Sequence, residues 1–285
     1  MNRRRAAAML AAPALASWLS GCAYQPLPVP IEDEIDERLN ALLPADALLL
    51  GERHDAPEHQ RIHRAVTAAL ANRYLLGALA LEMVDQGATT AGLPSNASES
   101  EVMAVLRWKD QAWAWQRYGP AVMEAVRVGV PVLGANLPAG RMRQAMADAS
   151  LDALLPGPLF AAQQAAIQAG HCDLLPASQI VPMTRVQIAR DRAMAETVAG
   201  AVLRHKTVLL LAGAGHVDRT LGVPHYLPPR LKVRAVQLKT EDTPHLPTSA
   251  TFDAAWPTAP GPAKDYCAEL RESLGPRAAP KPASP

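Results

Sequence analysis

The sequence predicts an α/β protein with three layers, in which helices flank a mainly parallel central sheet and a helical cap insertion covers one end. Short apolar runs alternate with amphipathic stretches along the chain, as in strands connected by helices. With 49% hydrophobic and 19% charged residues, the 285-residue chain has a globular composition. Its formal net charge of +1 leaves no excess of Lys and Arg to neutralise phosphates, which argues against a nucleic-acid partner.

The N-terminus, residues 1–21, is typical of a bacterial lipoprotein signal peptide. Three arginines precede an apolar stretch from Ala6 to Leu19 that is too short to span a membrane. The stretch ends in Leu-Ser-Gly-Cys, which matches a lipobox, so Cys22 is expected to carry the acyl chains that anchor the mature protein. Ala23 after the cysteine favours sorting to the outer membrane, where the protein would face the periplasm or the cell surface.

The mature chain divides into three predicted segments. Residues 22–40 form a lipidated tether and a first helix, residues 41–271 form the α/β domain, and residues 272–285 form a disordered, proline-rich tail. The predicted strands are Ala47–Leu50, Gly77–Leu81, Val130–Gly134, Thr207–Leu211 and Val233–Leu238. The predicted helices are Pro57–Arg73, Pro120–Val128, Leu159–Ala169 and Ser178–Arg204. Two insertions, at 85–118 and 139–205, are too long for simple crossovers and are assigned to the cap.

Polar side chains follow four of the predicted strands. These are Glu52 and His54 after the first strand, Glu82 after the second, Asn136 after the third and His216 after the fourth. Because open α/β sheets bind ligands beyond the carboxyl ends of their strands, we expect these side chains to form a site. Carboxylates and imidazoles suit either a divalent metal or acid–base catalysis. His59 and His63 lie at i and i+4 on the following helix and extend the candidate set.

An aromatic cluster lies between Trp108 and Tyr118. It contains Trp108, Trp113, Trp115 and Tyr118, in a chain with only five Trp, five Tyr and two Phe residues. One interpretation is the apolar underside of the cap packed on the sheet. The other is a wall for a large flat ligand, in which a tyrosine or histidine would be an iron ligand of haem.

Several common catalytic motifs are absent from the sequence. It has no G-x-S-x-G nucleophile motif and no G-x-x-x-x-G-K-[ST] phosphate loop. Gly213-Ala214-Gly215 resembles a dinucleotide loop, but Asp218 occupies the position of the third glycine. With Cys22 acylated, Cys172 and Cys267 remain as an even pair that an oxidising periplasm would allow to form a disulfide. The sequence leaves open whether they meet.

Taken together, these residues resemble the ChaN family of haem-binding lipoproteins, within the superfamily that includes Tiki-type proteases and erythromycin-esterase-like proteins. The resemblance runs from Leu48 to about Leu270. The matching stretches are Leu50-Gly51-Glu52-x-His54-Asp55-x-Pro57-x-His59, Leu81-Glu82-Met83, Trp115 to Tyr118 with Pro120, Gly134-Ala135-Asn136-Leu137-Pro138, Gly170-His171-Cys172, Ala189-Arg190-Asp191-x-x-Met194-Ala195, Gly213-x-Gly215-His216, Gly222-Val223-Pro224 and Asp265-Tyr266-Cys267.

The resemblance implies an outer-membrane lipoprotein for haem or iron uptake, with haem as ligand, a homodimer that holds a haem pair, and an outer-membrane haem receptor as a partner. It also implies tyrosine coordination of the iron. The W-x-x-Y stretch assigns that role to Tyr118, with Trp115 and His216 as further haem-binding residues, while Tyr226 and Tyr266 are rivals.

The superfamily also implies an alternative, a metal-dependent hydrolase of the Tiki-like peptidase or esterase type. In that case Glu52, His54, His59, Glu82, Asn136 and His216 would bind a divalent metal or activate a water molecule. A third interpretation, a purely structural or partner-binding lipoprotein, has no motif in its favour.

Overall fold

The computed structural model describes residues 31–241, 251–261 and 264–274. The predicted signal peptide, the lipidation site Cys22 and residues 275–285 of the predicted tail lie outside the described residues. Within the described ranges, no helix is both long enough and apolar enough to cross a membrane.

The described residues form six strands and the helices that connect them. The strands are β1 Ala47–Glu52, β2 Leu76–Asp85, β3 Val132–Asn136, β4 Thr207–Gly213, β5 Val233–Thr240 and β6 Ala254–Thr258. The α-helices are α1 Ile31–Asn40, α2 Pro57–Asn72, α3 Glu99–Leu106, α4 Trp115–Arg127, α5 Met142–Ala147, α6 Gly157–Gly170, α7 Ala177–Gly200, α8 Ala214–Val217, α9 Val223–Tyr226 and α10 Tyr266–Leu274. Two 3₁₀ turns, Ala139–Arg141 and Ala149–Leu154, flank α5. Helix α10 extends three residues into the segment predicted as a tail.

The six strands form one sheet in the order β3-β2-β4-β1-β5-β6, and every neighbouring pair is parallel. This confirms the predicted fold class. The chain moves from β1 outwards to β2 and β3, returns to β4 beside β1, and continues on the other side of β1. Such a change of direction opens a crevice at the carboxyl ends of the central strands.

Alternating residues of the central strands build the two faces of the sheet. Leu48 and Leu50 of β1 belong to a core with α1 to α4, while Ala47 and Leu49 belong to a core with α7, α8 and α9. All six residues of β1 are buried, as expected for a parallel strand that is covered on both sides. The sheet therefore lies between two helical layers.

The two long insertions pack in different places. The first contributes α3, whose Val102 and Leu106 pack in the same core as α2 and α4. The second forms a separate small core that includes Leu137, Leu151 and Ile188, and this is the helical cap. The 24-residue α7 joins both parts, since its C-terminal half packs on the sheet.

One unpredicted strand and one helix start have identifiable reasons. Strand β6 was not predicted because it lies in the proline-rich region, but an edge strand tolerates Pro257. Helix α4 starts at Trp115, five residues before Pro120, because the Asp110 carboxylate accepts a hydrogen bond from the Trp115 backbone N–H at 2.7 Å. This earlier start places Tyr118 on the helix.

Candidate functional site

Glu52, the last residue of β1, is the centre of a buried network on the α4 side of the sheet. Its Oε1 accepts hydrogen bonds from the Tyr118 hydroxyl and from His54 Nδ1, both at 2.7 Å. Its Oε2 accepts from Gln60 Nε2 at 2.6 Å. Burial opposes ionisation of Glu52, but His63 and the hydrogen bonds from His54 and Tyr118 outweigh it and lower the pKa of Glu52 below its usual value. Glu52 is therefore an ionised, fully hydrogen-bonded carboxylate.

Glu82 of β2 is the centre of a second network on the opposite face of the sheet. Its Oε1 accepts from Arg190 Nη2 at 2.6 Å, and its Oε2 accepts from the Gly213 backbone N–H at 2.7 Å. Asn136 supports this arrangement, because its Oδ1 accepts from Arg190 Nε at 2.9 Å and its amide donates to the Glu82 carbonyl at 2.9 Å. Burial raises the pKa of Glu82, but His216, His54 and Arg190 together hold it well below the usual value.

His216 on α8 lies between two carboxylates. Its Nδ1 is 2.5 Å from Asp191 Oδ1, and its Nε2 is 3.4 Å from Glu82 Oε1. Burial lowers the pKa of His216, but the charges of Glu82 and Asp191 outweigh burial and raise it to about 10. His216 is therefore an imidazolium at neutral pH.

His54 connects the two networks across the end of β4. Its Nδ1 donates to Glu52, while its Nε2 is 3.8 Å from Glu82 Oε2. Gly213 permits this approach, because a Cβ at that position would lie only 3.0 Å from His54 Nε2. Burial lowers the pKa of His54, but the hydrogen bond to Glu52 and the charges of Glu82 and Glu52 raise it overall. With its side chain 39% exposed, His54 is the member of this cluster that solvent reaches most easily.

His59 does not join this cluster, although the sequence placed it in the candidate set. Its Nδ1 accepts a hydrogen bond from the Arg53 backbone N–H at 2.9 Å, and its Nε2 lies 3.0 Å from the Thr258 hydroxyl, to which it donates. Burial, followed by the charge of His63, lowers the pKa of His59 to about 4. His59 is thus a neutral link between α2 and β6, a strand that the sequence analysis did not predict.

Two residues of the aromatic cluster, Trp115 and Tyr118, are buried in the protein interior, while Trp108 and Trp113 are half-buried beside them. Trp108 contacts Trp115 edge-on with ring centroids 5.0 Å apart, and Trp113 contacts Tyr118 at 5.9 Å. Trp115 and Tyr118 are 7% and 2% exposed. Burial and the carboxylate of Glu52 raise the pKa of Tyr118 well above its usual value. The cluster also reaches the site, because Trp113 lies against the His54 ring at 4.8 Å.

The donors of this site do not fit a divalent metal. In the parts of the chain that the structure describes, no three His, Cys, Asp or Glu side chains are arranged to hold an ion. Both oxygens of Glu82 and both oxygens of Glu52 already accept hydrogen bonds, and the Arg190 guanidinium adds a positive charge beside Glu82. The geometry suits proton transfer better than metal coordination.

Sequence reasoning did not assign roles to four residues of the site. Arg190 and Asp191 entered only as part of a matching stretch, while Gln60 and Gln187 were not considered. Gln187 and Asp191 lie four residues apart on α7, and the Gln187 amide nitrogen donates to Asp191 Oδ2 at 3.3 Å. The i, i+4 spacing of these two residues is visible in the sequence. It indicates a site only once α7 is known to pack against α8.

Cys172 and Cys267 are joined by a disulfide that spans 95 residues. It attaches α10 to the end of α6 and holds the neighbouring Tyr266 near the end of β1. The Tyr266 hydroxyl donates to the Asp55 carboxylate. The Arg53 guanidinium lies 5.8 Å from the Tyr266 ring centroid, and the Lys264 ammonium lies 5.2 Å from it.

The fold and site define an α/β protein with paired carboxylate–imidazole networks at the carboxyl edge of a parallel sheet. A family model described as haem-binding uptake, Tiki superfamily, ChaN matches residues 38–227. The chain belongs to this family, as its motifs predicted.

The solved structure of one relative agrees with this assignment at the level of the fold. ChaN of Campylobacter jejuni, described with cofacial haem binding, is 23% identical, and the match covers 75% of this chain and 88% of that chain with a TM-score of 0.58. RRSP, a MARTX toxin effector domain from Vibrio vulnificus, is 14% identical over 72% of this chain and 36% of that chain, with a TM-score of 0.41. No curated protein sequence matches the chain.

Proposed function

We propose that this protein is a haem-binding lipoprotein of the bacterial outer membrane that takes part in haem or iron uptake. The match of residues 38–227 to a haem-binding uptake family carries the proposal. The lipobox ending at Cys22 supports a lipid anchor, which would hold the protein at the membrane, facing the periplasm or the cell surface. An outer-membrane haem receptor is the proposed partner that exchanges haem with it.

The geometry favours a different iron ligand from the one the sequence suggested. A tyrosine binds ferric haem as the phenolate, so a ligand must be accessible and must ionise. Tyr118 is buried, and its hydroxyl donates to an ionised carboxylate. Trp115 and His216 are also buried, and His216 is held between Glu82 and Asp191. These three residues therefore support the protein interior and do not present a surface to haem.

Tyr266 differs from Tyr118 in its accessibility, although its hydroxyl also donates to a carboxylate, that of Asp55. It is 44% exposed, whereas the hydroxyl of Tyr226 is buried and has no hydrogen-bond partner within the described residues. Burial also raises the pKa of Tyr226. Arg53 and Lys264 flank the Tyr266 ring, and their charges suit both a phenolate and the haem propionates. We therefore place haem against Tyr266.

An exposed iron ligand such as Tyr266 is compatible with a homodimer. The structure of the Campylobacter jejuni protein is described with cofacial haem binding. A haem on Tyr266 would leave one porphyrin face open, and a second copy of the chain bringing its own haem would cover that face.

Haem titration of the full-length protein in detergent, followed by the Soret band, tests the proposal. We expect saturable, stoichiometric binding and a phenolate-to-iron charge-transfer band that Tyr266→Phe abolishes. Tyr74→Phe is the matched control, since Tyr74 is 82% exposed and lies away from the site. Loss of the band in the Tyr74 variant, or its persistence in the Tyr266 variant, would remove Tyr266 as the ligand. Absence of saturable binding would overturn the haem-binding function itself.

One observation favours a second candidate function, hydrolysis. His54 is partly exposed, is fixed by Glu52 through Nδ1, and directs Nε2 towards Glu82. An imidazole with one nitrogen held by a carboxylate can donate or accept a proton at the other nitrogen. Because the carboxylates are already hydrogen-bonded, we propose acid–base hydrolysis of an ester or peptide in place of the metal-dependent reaction that the superfamily implies.

Activity on aryl esters and peptides, measured with and without a chelator, tests this second function. We expect His54→Gln to reduce turnover by about 10²-fold or more, the usual contribution of an acid–base group, and chelation to have no effect. His171→Gln is the control, because His171 bonds a carbonyl of its own helix. Full inhibition by the chelator would instead favour metal-dependent hydrolysis. Equal activity of the His54 variant would exclude His54 from the reaction.

A further inference from the structure

The amino ends of β1 to β5 form the edge of the sheet opposite the candidate site. Five segments lead into these strands, residues 41–46, 73–75, 127–131, 201–206 and 227–232, and we call them together the amino edge. Because neighbouring strands are parallel, the five segments lie side by side along the sheet. The Lys206 ammonium, for example, donates to the Tyr74 carbonyl at 2.6 Å. The amino edge is therefore a single surface.

This surface carries an excess of positive charge. Its five segments contain six Lys or Arg residues and one acidic residue, Asp46, although the whole chain has a formal net charge of only +1. The Arg73 guanidinium pairs with the Asp36 carboxylate of α1 at 2.6 Å. The other basic residues are Arg127, Arg204, Lys206, Arg230 and Lys232. All of these except Lys206 are exposed, so their charges are available to an anionic partner.

The most exposed apolar side chains lie on the same surface. Among the described residues six large hydrophobic side chains are exposed, and the three most exposed are Tyr74 at 82%, Leu203 at 56% and Val128 at 51%. They precede β2, β4 and β3, which are adjacent strands. The remaining three are at most 44% exposed and lie on other elements. Apolar and aromatic side chains among basic residues are typical of surfaces that contact a membrane interface.

The backbone at Tyr74 supports a role for this side chain outside the folding of α2. Tyr74 follows the last turn of α2 and has a φ of 55°, in the left-handed region. Glycine is favoured at this position, and a bulky residue rarely adopts such a φ. Because the Tyr74 side chain is mostly in solvent, packing does not account for a tyrosine here, whereas contact with a partner does.

The chain before α1 is long enough to bring this surface to a membrane. The proposed lipid anchor Cys22 precedes Ile31, the first residue of α1, by nine residues, which span at most about 30 Å. Helix α1 is about 15 Å long. It ends at the amino edge, where Asn40 Oδ1 accepts from Arg73 Nη1 at 3.0 Å. An anchor at Cys22 can therefore hold the amino edge against the bilayer.

We propose that the amino edge docks on an anionic lipid bilayer. Its Lys and Arg side chains contact the lipid phosphates, and Tyr74, Leu203 and Val128 enter the headgroup region. The proposal rests on the lipid anchor of the proposed function and is independent of haem binding. Docked in this way, the protein turns its carboxyl edge, with Tyr266, away from the bilayer.

A fluorophore at residue 205 tests this orientation in the lipidated full-length protein, reconstituted in vesicles. With Cys22 acylated and Cys172 bonded to Cys267, His205→Cys introduces the single free thiol of the chain. Nitroxides on lipid headgroups should quench this fluorophore in vesicles that contain phosphatidylglycerol. Quenching should be much weaker in pure phosphatidylcholine and at high salt, which screens the charges. Gln144→Cys, on α5 of the cap, is the control position and should not be quenched in any vesicle.

Each contrary result has a distinct meaning. Equal quenching at the two positions, or quenching at residue 205 that does not depend on phosphatidylglycerol, would overturn the docking. Energy transfer between fluorophores at residue 205 without quenching would show that a second copy of the chain covers the surface, and would also overturn it. Protein that does not float with the vesicles lacks the anchor, and this orientation fails with it. Floating protein without quenching refutes the docking alone, and neither result bears on haem binding.

A pair of charge variants locates the docking surface. Arg204→Gln combined with Arg230→Gln should lower the ratio of docked to free protein, measured from the quenched fraction, by about fivefold for each removed charge. Arg107→Gln combined with Arg143→Gln is the matched control, because both arginines are exposed and lie outside the amino edge. Equal losses in the two double variants would show a general effect of charge and would refute this surface.

A second pair of variants tests the apolar contact. Tyr74→Ser combined with Leu203→Ser should also weaken docking, because serine does not favour the headgroup region as these side chains do. Val105→Ser combined with Leu154→Ser removes two exposed apolar side chains elsewhere and should leave docking unchanged. Quenching that is unchanged in both the charge variant and the apolar variant of the amino edge would exclude it as the docking site.

Discussion

The hydroxyl of Tyr118 donates a 2.7 Å hydrogen bond to Glu52 Oε1, although 66 residues separate the two in sequence. This bond joins the aromatic cluster to the carboxylate–imidazole site, two features that the sequence presents as independent. It also holds the side chain of Tyr118, which its W-x-x-Y motif suggests as a haem ligand, in the protein interior. Its phenol is buried and donates to an ionised carboxylate, so we propose the more exposed Tyr266 as the iron ligand instead.

Tyr118→Phe should therefore destabilise the protein without changing haem coordination. Loss of one donor to the buried Glu52 carboxylate is expected to lower the free energy of unfolding by about 1–3 kcal/mol. Urea unfolding measures this loss, and Tyr74→Phe at an exposed position should leave the stability unchanged. A Tyr118 variant as stable as the wild type would show that the bond contributes nothing, and loss of the haem charge-transfer band would restore Tyr118 as the ligand.

Loss of the proton from His216 should make the protein less stable at alkaline pH. The pKa of His216 is raised to about 10 in the folded state, against about 6.5 in the unfolded chain. Its contribution is thus fully present below about pH 6.5 and is lost as the pH rises towards 10. Urea midpoints across this range should fall more steeply for the wild type than for His216→Gln. Parallel pH profiles would contradict the assignment of the charge to His216.

Gly213→Ala should disturb His54 selectively. The added Cβ would lie 3.0 Å from His54 Nε2 and 3.6 Å from Glu82 Oε2, so the imidazole must move away from Glu82. We expect the pKa of His54 to fall towards its usual value, because the Glu82 charge helps to raise it. An NMR titration of the histidines measures this change. Gly140→Ala is the control, since a Cβ there meets no atom within 4 Å. A His54 titration that is the same in both variants would sink the explanation.

The disulfide should contribute to the stability of the whole protein and should hold Tyr266 in position for haem. Replacement of Cys172 and Cys267 by Ser opens a closed segment that contains β4, β5 and β6, and should lower the free energy of unfolding by about 2–4 kcal/mol. It should also weaken haem binding, because α10 carries Tyr266. Denaturant unfolding and haem titration check the two effects, and wild-type protein under reducing conditions should match the variant. Unchanged haem affinity would argue against the placement of haem on Tyr266.

The fold class followed from local patterns that survive in the folded chain. Buried parallel strands are continuous apolar runs, so Ala47–Leu50 and Thr207–Leu211 were recognisable from composition and length. Strand β6 was not, because Pro257 and the surrounding prolines contradict a strand unless it is at an edge. That position depends on the order of strands in the sheet, which local sequence does not contain.

The candidate site was predictable in part for a related reason. Parallel strands end at the same edge of a sheet, so Glu52, Glu82 and His216 were expected together before their contacts were known. The partners that set their charges come from distant helices. Asp191 and Arg190 on α7 are ordinary charged helix residues until α7 packs against α8 and β2.

The sequence by itself determined the alternation of strands and helices, the family, and the residue types that meet at the sheet edge, because these depend on local periodicity and on motif spacing. Tertiary structure decided which nitrogen of His54 faces which carboxylate, that His59 links α2 to β6, and that Tyr118 is buried while Tyr266 is exposed. Side-chain direction, burial and charge are set by contacts between elements far apart in the chain. They therefore become fixed only when the layers pack.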